Sequence, residues 1–194
     1  MHVPGAAVLD TWANFYVIVG SSAAGLTGLQ FVVMTLIASA RGTGAGEEAL
    51  AAFGSPNVVH FCAALLISAI LSAPWHTLLQ AGIPVVITGA AGVFYCVRVL
   101  ERARRQTVYQ PVLEDWIWHN ILPFAAYATL TIGGIALSAG STGSLFEIAG
   151  AELLLLLIGI HNSWDTVTYV TLLQARREQA EARSDEKRAE DPLP

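Results

Sequence analysis

Five apolar stretches, each long enough to cross a bilayer, constrain this 194-residue chain more than any motif it contains. A hydrocarbon core about 30 Å thick takes roughly 20 apolar residues in helical form. Inside lipid every backbone N–H and C=O must find a partner within the protein, so only helices and closed barrels span. The runs are continuously apolar rather than alternating, which selects helices. The expected spans cover about 12–39, 57–79, 84–105, 115–139 and 144–175. The fold class that follows is all-α: a polytopic membrane protein with a five-span domain over residues 1–175 and a charged tail over 176–194. Composition agrees, with 13% charged residues against about 25% in a typical soluble domain.

Ala38-Ser39-Ala40 matches the pattern of a leader cleavage site. The apolar stretch before it is about 27 residues long, however, and a leader's apolar region has about 7–15. The first segment is therefore expected to be a retained span, capped by Asp10 or Thr11. Its residues Asn14, Ser21, Gly25, Gly28 and Thr35 share a face, and Gly20, Ala24 and Gly28 form a small-xxx-small series. Gly20, Ala24, Gly25 and Gly28 are the expected packing face, within one subunit or between subunits.

A glycine-rich loop over 40–56 leads to Ser55-Pro56, which reads as a helix start. Four residues, 80–83, are expected to join the second and third spans as a tight hairpin. Pro123 falls inside the fourth span and clashes with the carbonyl of His119, four residues back. Ser144 and Glu147 match a capping box at the start of the fifth span, with Glu147 as its acid. Residues 176–191 carry charge almost throughout and no apolar stripe, as expected of a solvated helical or frayed tail.

Orientation follows from charge. Five spans put loops 40–56 and 98–115 and the C-terminus on one side, and all ten Lys and Arg residues lie there or at its edge. The positive-inside rule then gives an N-out, C-in bundle in the plasma or inner membrane. Trp12, Phe15, Tyr16 and Trp75 fall near the outer interface, and Trp116, Trp118, Trp164 and Tyr169 near the inner one, as an aromatic belt requires.

Ionisable residues inside spans are costly and mark functional sites by default. His161 and Asp165 are four apart and share a helix face; Asp115 and His119 repeat that spacing on the fourth span. Glu152 lies two turns into the fifth span, too deep to cap it, and Gln30 is its expected partner at similar depth. The leading functional expectation is an ion channel or proton-linked transporter of homo-oligomeric form. Its path residues are Glu152, His161, Asp165, His119 and Gln30. A second is a non-catalytic membrane scaffold whose tail binds a partner. A third is a metal or haem redox protein using His60, His119, His161 and Asp165, with the cofactor itself left open. His60 and His76 lie about 160° apart on a helical wheel, a poor arrangement for stacking two haems on one face.

Cys62 and Cys96 lack CxxC spacing and are expected as small core residues. Nucleotide-binding, hydrolase, zinc-protease and potassium-filter motifs are absent from the sequence. No nucleic-acid module is present, so the expected surroundings are the lipid bilayer, further copies of the chain and a small ion.

Overall fold

Helical periodicity governs every described stretch of the computed structural model, which describes residues 5–40, 55–105 and 116–190. Five long helical segments follow one another: α1 (Gly5–Ala40), α2 (Ser55–Leu71), α3 (Leu78–Arg105), α4 (Leu122–Ser138) and α5 (Ser144–Glu190). A π-helical turn, Ile117–Ile121, leads directly into α4. No strand occurs among the described residues. Among the described residues, four stretches are long and apolar enough to cross a membrane: Ala7–Thr35, Leu78–Glu101, Ile117–Ser138 and Ser144–Thr168. The all-α class is thus borne out, with four of the expected five helices long and apolar enough to cross a membrane.

The second expected span differs. Its apolar helix, Asn57–Leu71, is shorter than the other four, and the chain does not stay helical to residue 79. Pro74 is the reason. Proline clashes with the carbonyl four residues back and pushes the preceding residue out of helical geometry. The carbonyl affected is that of Ile70, and the Trp75 indole takes it up, with Nε1 donating over 2.5 Å. Helix then restarts earlier than expected, at Leu78, so 80–83 is helix and Pro84 lies inside α3. The restart is capped: the Gln80 N–H donates to Thr77 Oγ1 at 3.3 Å, and the His76 N–H donates to Gln80 Oε1 at 3.2 Å. This is close to the reciprocal logic of a capping box.

Other boundaries also move. α1 begins at Gly5, before the expected caps; no proline interrupts residues 5–40, and Thr11 Oγ1 turns back to the Val8 carbonyl at 2.7 Å. At α5 the Ser144 hydroxyl donates to Ser141 O at 2.6 Å rather than capping its own helix. Glu147 stands exposed in the first turn, where a negative charge suits the helix dipole. α4 ends in a Schellman motif. Gly140 takes φ 93°, and the amides of Gly140 and Ser141 donate to Leu137 O and Ala136 O at 2.9 Å each. The tail is one continuous helix with the last span as far as Glu190.

The helices pack in the order α3–α4–α5–α2–α1, with α2 also touching α3. α3 and α4 meet at very short range. A Cβ on Gly89 would collide with Thr131, and one on Gly92 would enter the Tyr127 ring. The outer surface is apolar, with Ile18, Phe31, Ile87, Phe94, Ile132 and Leu157 exposed. Cys96 is buried as expected, whereas Cys62 faces outward.

Candidate functional site: two polar stations in the α1–α2–α5 layer

On α2 the residues Asn57, Phe61, Ala64, Ser68 and Leu71 recur at three- and four-residue spacing and form one buried face. α5 answers with Glu152, Leu156, Gly159 and Ser163, and α1 with Tyr16, Val19, Ala23 and Gln30. Each face is polar at its ends and apolar in its middle. Packed together, the three helices enclose two polar stations separated by a dry layer.

The first station joins one side chain from each helix. Ser68 Oγ donates to Glu152 Oε1. Glu152 is 0% exposed, Ser68 2% and Tyr16 1%. Glu152 Oε2 and the Tyr16 hydroxyl are buried without a hydrogen-bond partner, and Tyr16 stands one turn along α1 from Gly20, which packs on Ser68. Gly20 makes this possible: a Cβ there would lie 2.9 Å from Ser68 Cβ, so α1 can come this near only without one.

The second station is uncharged. Asn57 Nδ2 donates to Ser163 Oγ at 3.3 Å, and Ser163 Oγ lies 2.8 Å from Gln30 Oε1 and 2.6 Å from Gly159 O. A hydroxyl has one proton, so the two acceptors compete for it. Gln30 and Asn57 are both buried.

Between the stations lie Val19, Ala23, Phe61, Ala64 and Leu156, with Phe15 and Leu26 packed against them. The Phe61 ring sits on Gly159, where any Cβ would overlap it.

The expected site residues therefore separate. Gln30 does not meet Glu152; it bonds Ser163, while Ser68 takes the carboxyl. The cause is length: Gln30 lies nearly four turns from Tyr16 along α1. His161 and Asp165 do come together, Nδ1 to Oδ2 at 3.2 Å, but with no hydrogen bond formed by that Nδ1. Asp165 is 56% exposed, so this pair stands at the rim of the bundle and not in its interior. His161 is stacked on Trp118, with ring centroids 3.7 Å apart and planes at 6°.

Pro123 produces the π turn. The Leu122 amide reaches five residues back to Ile117 O, which widens the helix around His119 and leaves Pro123 in the first turn of α4. His119 stands in this turn. His60 Nδ1 lies 2.9 Å from the Tyr127 hydroxyl.

Among the described residues no three His, Cys, Asp or Glu side chains come together as metal ligands; Asp115 lies outside them. The α1 packing face divides. Gly20 packs on Ser68 inside the subunit, whereas Ala24, Gly25 and Gly28 are exposed, with open space beside both glycines. Tyr16, expected at the outer interface, is instead in the interior.

Sequence reading missed Ser68, Asn57 and Tyr16 as site residues. The available signal was the stripe on α2, whose polar members stand eleven residues apart on a single face. No family model matches this chain, and no curated protein or solved structure matches it.

Proposed function

We propose that this chain is a non-catalytic, five-span plasma-membrane protein, N-out and C-in, that moves protons or a proton-linked small ion, as a channel or transporter, with Glu152 as the proton-carrying group. The observation that carries the reading is Glu152 itself. It is a carboxyl with no exposed surface, one oxygen on Ser68 and the other unpartnered, in the middle of an apolar helix. A lone carboxylate there would cost several kcal/mol, whereas a carboxylic acid can donate to a neighbour and release its proton when water arrives. Ser68 is the hydroxyl bonded to it, and the Tyr16 hydroxyl is buried and unpartnered at the same station.

α2, as its apolar helix and the following segment through Trp75, makes the second of the five spans. Homo-oligomer formation is supported by the outward face of α1, where Asn14, Ser21, Ala24, Gly25, Gly28 and Thr35 are all exposed. Polar and small residues at a lipid-facing surface are the material of helix–helix contacts between subunits. His161, Asp165 and Trp118 then form the cytoplasmic rim of the path.

Purified protein in liposomes, carrying an internal pH dye, tests this. Parent protein is expected to dissipate an imposed proton gradient, and Glu152→Gln to reduce the flux to that of empty liposomes. Equal flux from parent and Glu152→Gln overturns the reading. A second reading, a membrane scaffold, draws on the α5 extension to Glu190, whose described side chains beyond Thr168 are exposed. It predicts no flux and loss of partner capture when residues 175–194 are removed.

A further inference from the structure

We infer that Gln30, Asn57 and Ser163 form a water-binding entry site from which a proton is delivered to Glu152, and that Phe61 is the seal between them. This rests on the reading of Glu152 as a proton carrier and goes on to assign its access route.

Three observations carry it. First, the second station has the makings of a water site. A buried water needs two to four polar partners, and Gln30, Asn57 and Ser163 bring an amide oxygen, an amide nitrogen and a hydroxyl together from three helices. The hydroxyl's single proton is contested by Gln30 Oε1 and Gly159 O; when it turns to Gly159, whose carbonyl already serves the helix, Gln30 Oε1 is short of a donor that water would supply. The adjacent Asn162 is 2% exposed, with both side-chain polar atoms unpartnered. The site carries no charge of its own, which suits water or a hydrated proton and offers nothing to an anion or a divalent ion.

Second, the two stations lie in one layer, eleven residues apart on α5 and eleven apart on α2. That is about 16 Å of helix. Third, the intervening layer is apolar on all three helices, and its widest side chain is Phe61. Dewetted apolar constrictions act as gates in membrane pathways. Gly159 provides the floor on which the ring lies, and movement of α2 against α5 is what would lift the ring from it. The side chains grouped with Glu152 at the first station are Tyr16 from α1 and Ser68 from α2. Neither carries a charge near neutral pH, so the rate of exchange is set by access.

Infrared spectroscopy on the detergent-purified full chain tests the route without any flux measurement. A buried carboxylic acid has a C=O band above the amide region that shifts when its proton is exchanged for deuterium. Loss of that band in Glu152→Gln assigns it; if no band is lost, Glu152 holds no proton and the functional reading itself fails. With the band assigned, transfer into D2O is expected to shift it slowly in the parent and several-fold faster in Phe61→Ala. Ser163→Ala and Gln30→Leu are expected to slow it below the parent. Phe61→Leu, which keeps the volume more nearly, serves as the second seal variant if Phe61→Ala does not fold, with a smaller acceleration expected. An unchanged exchange rate in the seal variants overturns Phe61 as the seal. Exchange that is indifferent to Ser163 and Gln30 overturns the entry site, while leaving Glu152 as a proton carrier.

Discussion

The α3–α4 hairpin and the α1–α2–α5 layer are built from similarly apolar helices and both use glycines at close approaches, yet they differ in what crosses between the helices. In the hairpin, glycines bring backbones together. Gly82 lies against Gly134 and Ser138, Gly89 against Thr131, and the Tyr127 ring covers Gly92. Hydroxyls there turn back on their own helices, as Thr88 does to Pro84 O and Thr131 to Tyr127 O. In the layer, side-chain hydrogen bonds cross between helices: Ser68 to Glu152, Asn57 to Ser163 and Ser163 to Gln30. Close backbone packing leaves no room for rearrangement. Hydrogen bonds between polar side chains in a membrane contribute only about 0.6 kcal/mol each on average, so they can be exchanged. The hairpin is thus suited to be the fixed part and the layer the part that changes.

Substitutions can break or sharpen that contrast. The largest effect is expected at Gly92. Gly92→Val drives a branched side chain into the Tyr127 ring, and overpacking of this kind costs about 3 kcal/mol; a drop in the unfolding midpoint of detergent-solubilised protein would show it. If Gly92→Val unfolds like the parent, the hairpin is not the fixed part.

Ser68→Ala comes next. It leaves Glu152 Oε1 buried without its donor, a loss of about 2 kcal/mol, and the double variant Ser68→Ala with Glu152→Leu should recover most of it. Failure to recover would mean that the first station is not a coupled pair. Gly140→Ala is expected to cost about 1 kcal/mol, because φ 93° strains any residue with a Cβ. That change lies in the turn joining hairpin to layer, and it should leave flux unchanged. The smallest effect is expected at Gly28→Leu. The position is exposed with open space around it, so folding of the single chain should change by less than about 0.5 kcal/mol. The mass of the purified particle should fall if this face joins subunits, and a particle of unchanged mass would remove α1 from the oligomer contact.

Much of the outline was legible because its causes are local. Apolar run length favours a long helix wherever it occurs, which is why the all-α class and four helices long enough to span could be read directly. Where boundaries differ from those expected, a local competitor decides them. Pro74 ends α2, and Thr77 with Gln80 starts α3; both lay in plain view as a proline and a T-x-x-Q pattern. Pro123 was noticed, but whether it kinks a helix or is absorbed by a π turn depends on the packing around it.

The candidate site was legible only in part. Burial of Glu152 followed from its position in an apolar run, and the pairing of His161 with Asp165 followed from their spacing on one helix. The partners of Glu152 did not. Its depth matched several polar residues, and a depth says nothing about which helix lies alongside. Sequence by itself determined which segments are helical, which residues sit deep and which faces of each helix are polar, because these depend on spacing along a single chain of known rise and turn. Tertiary structure alone decided that Ser68 and not Gln30 meets Glu152, that Tyr16 turns inward, and that Phe61 stands between the two stations. Those contacts depend on which helices are neighbours and how far one slides past another, and helix faces that are apolar on nearly every side leave that choice to packing.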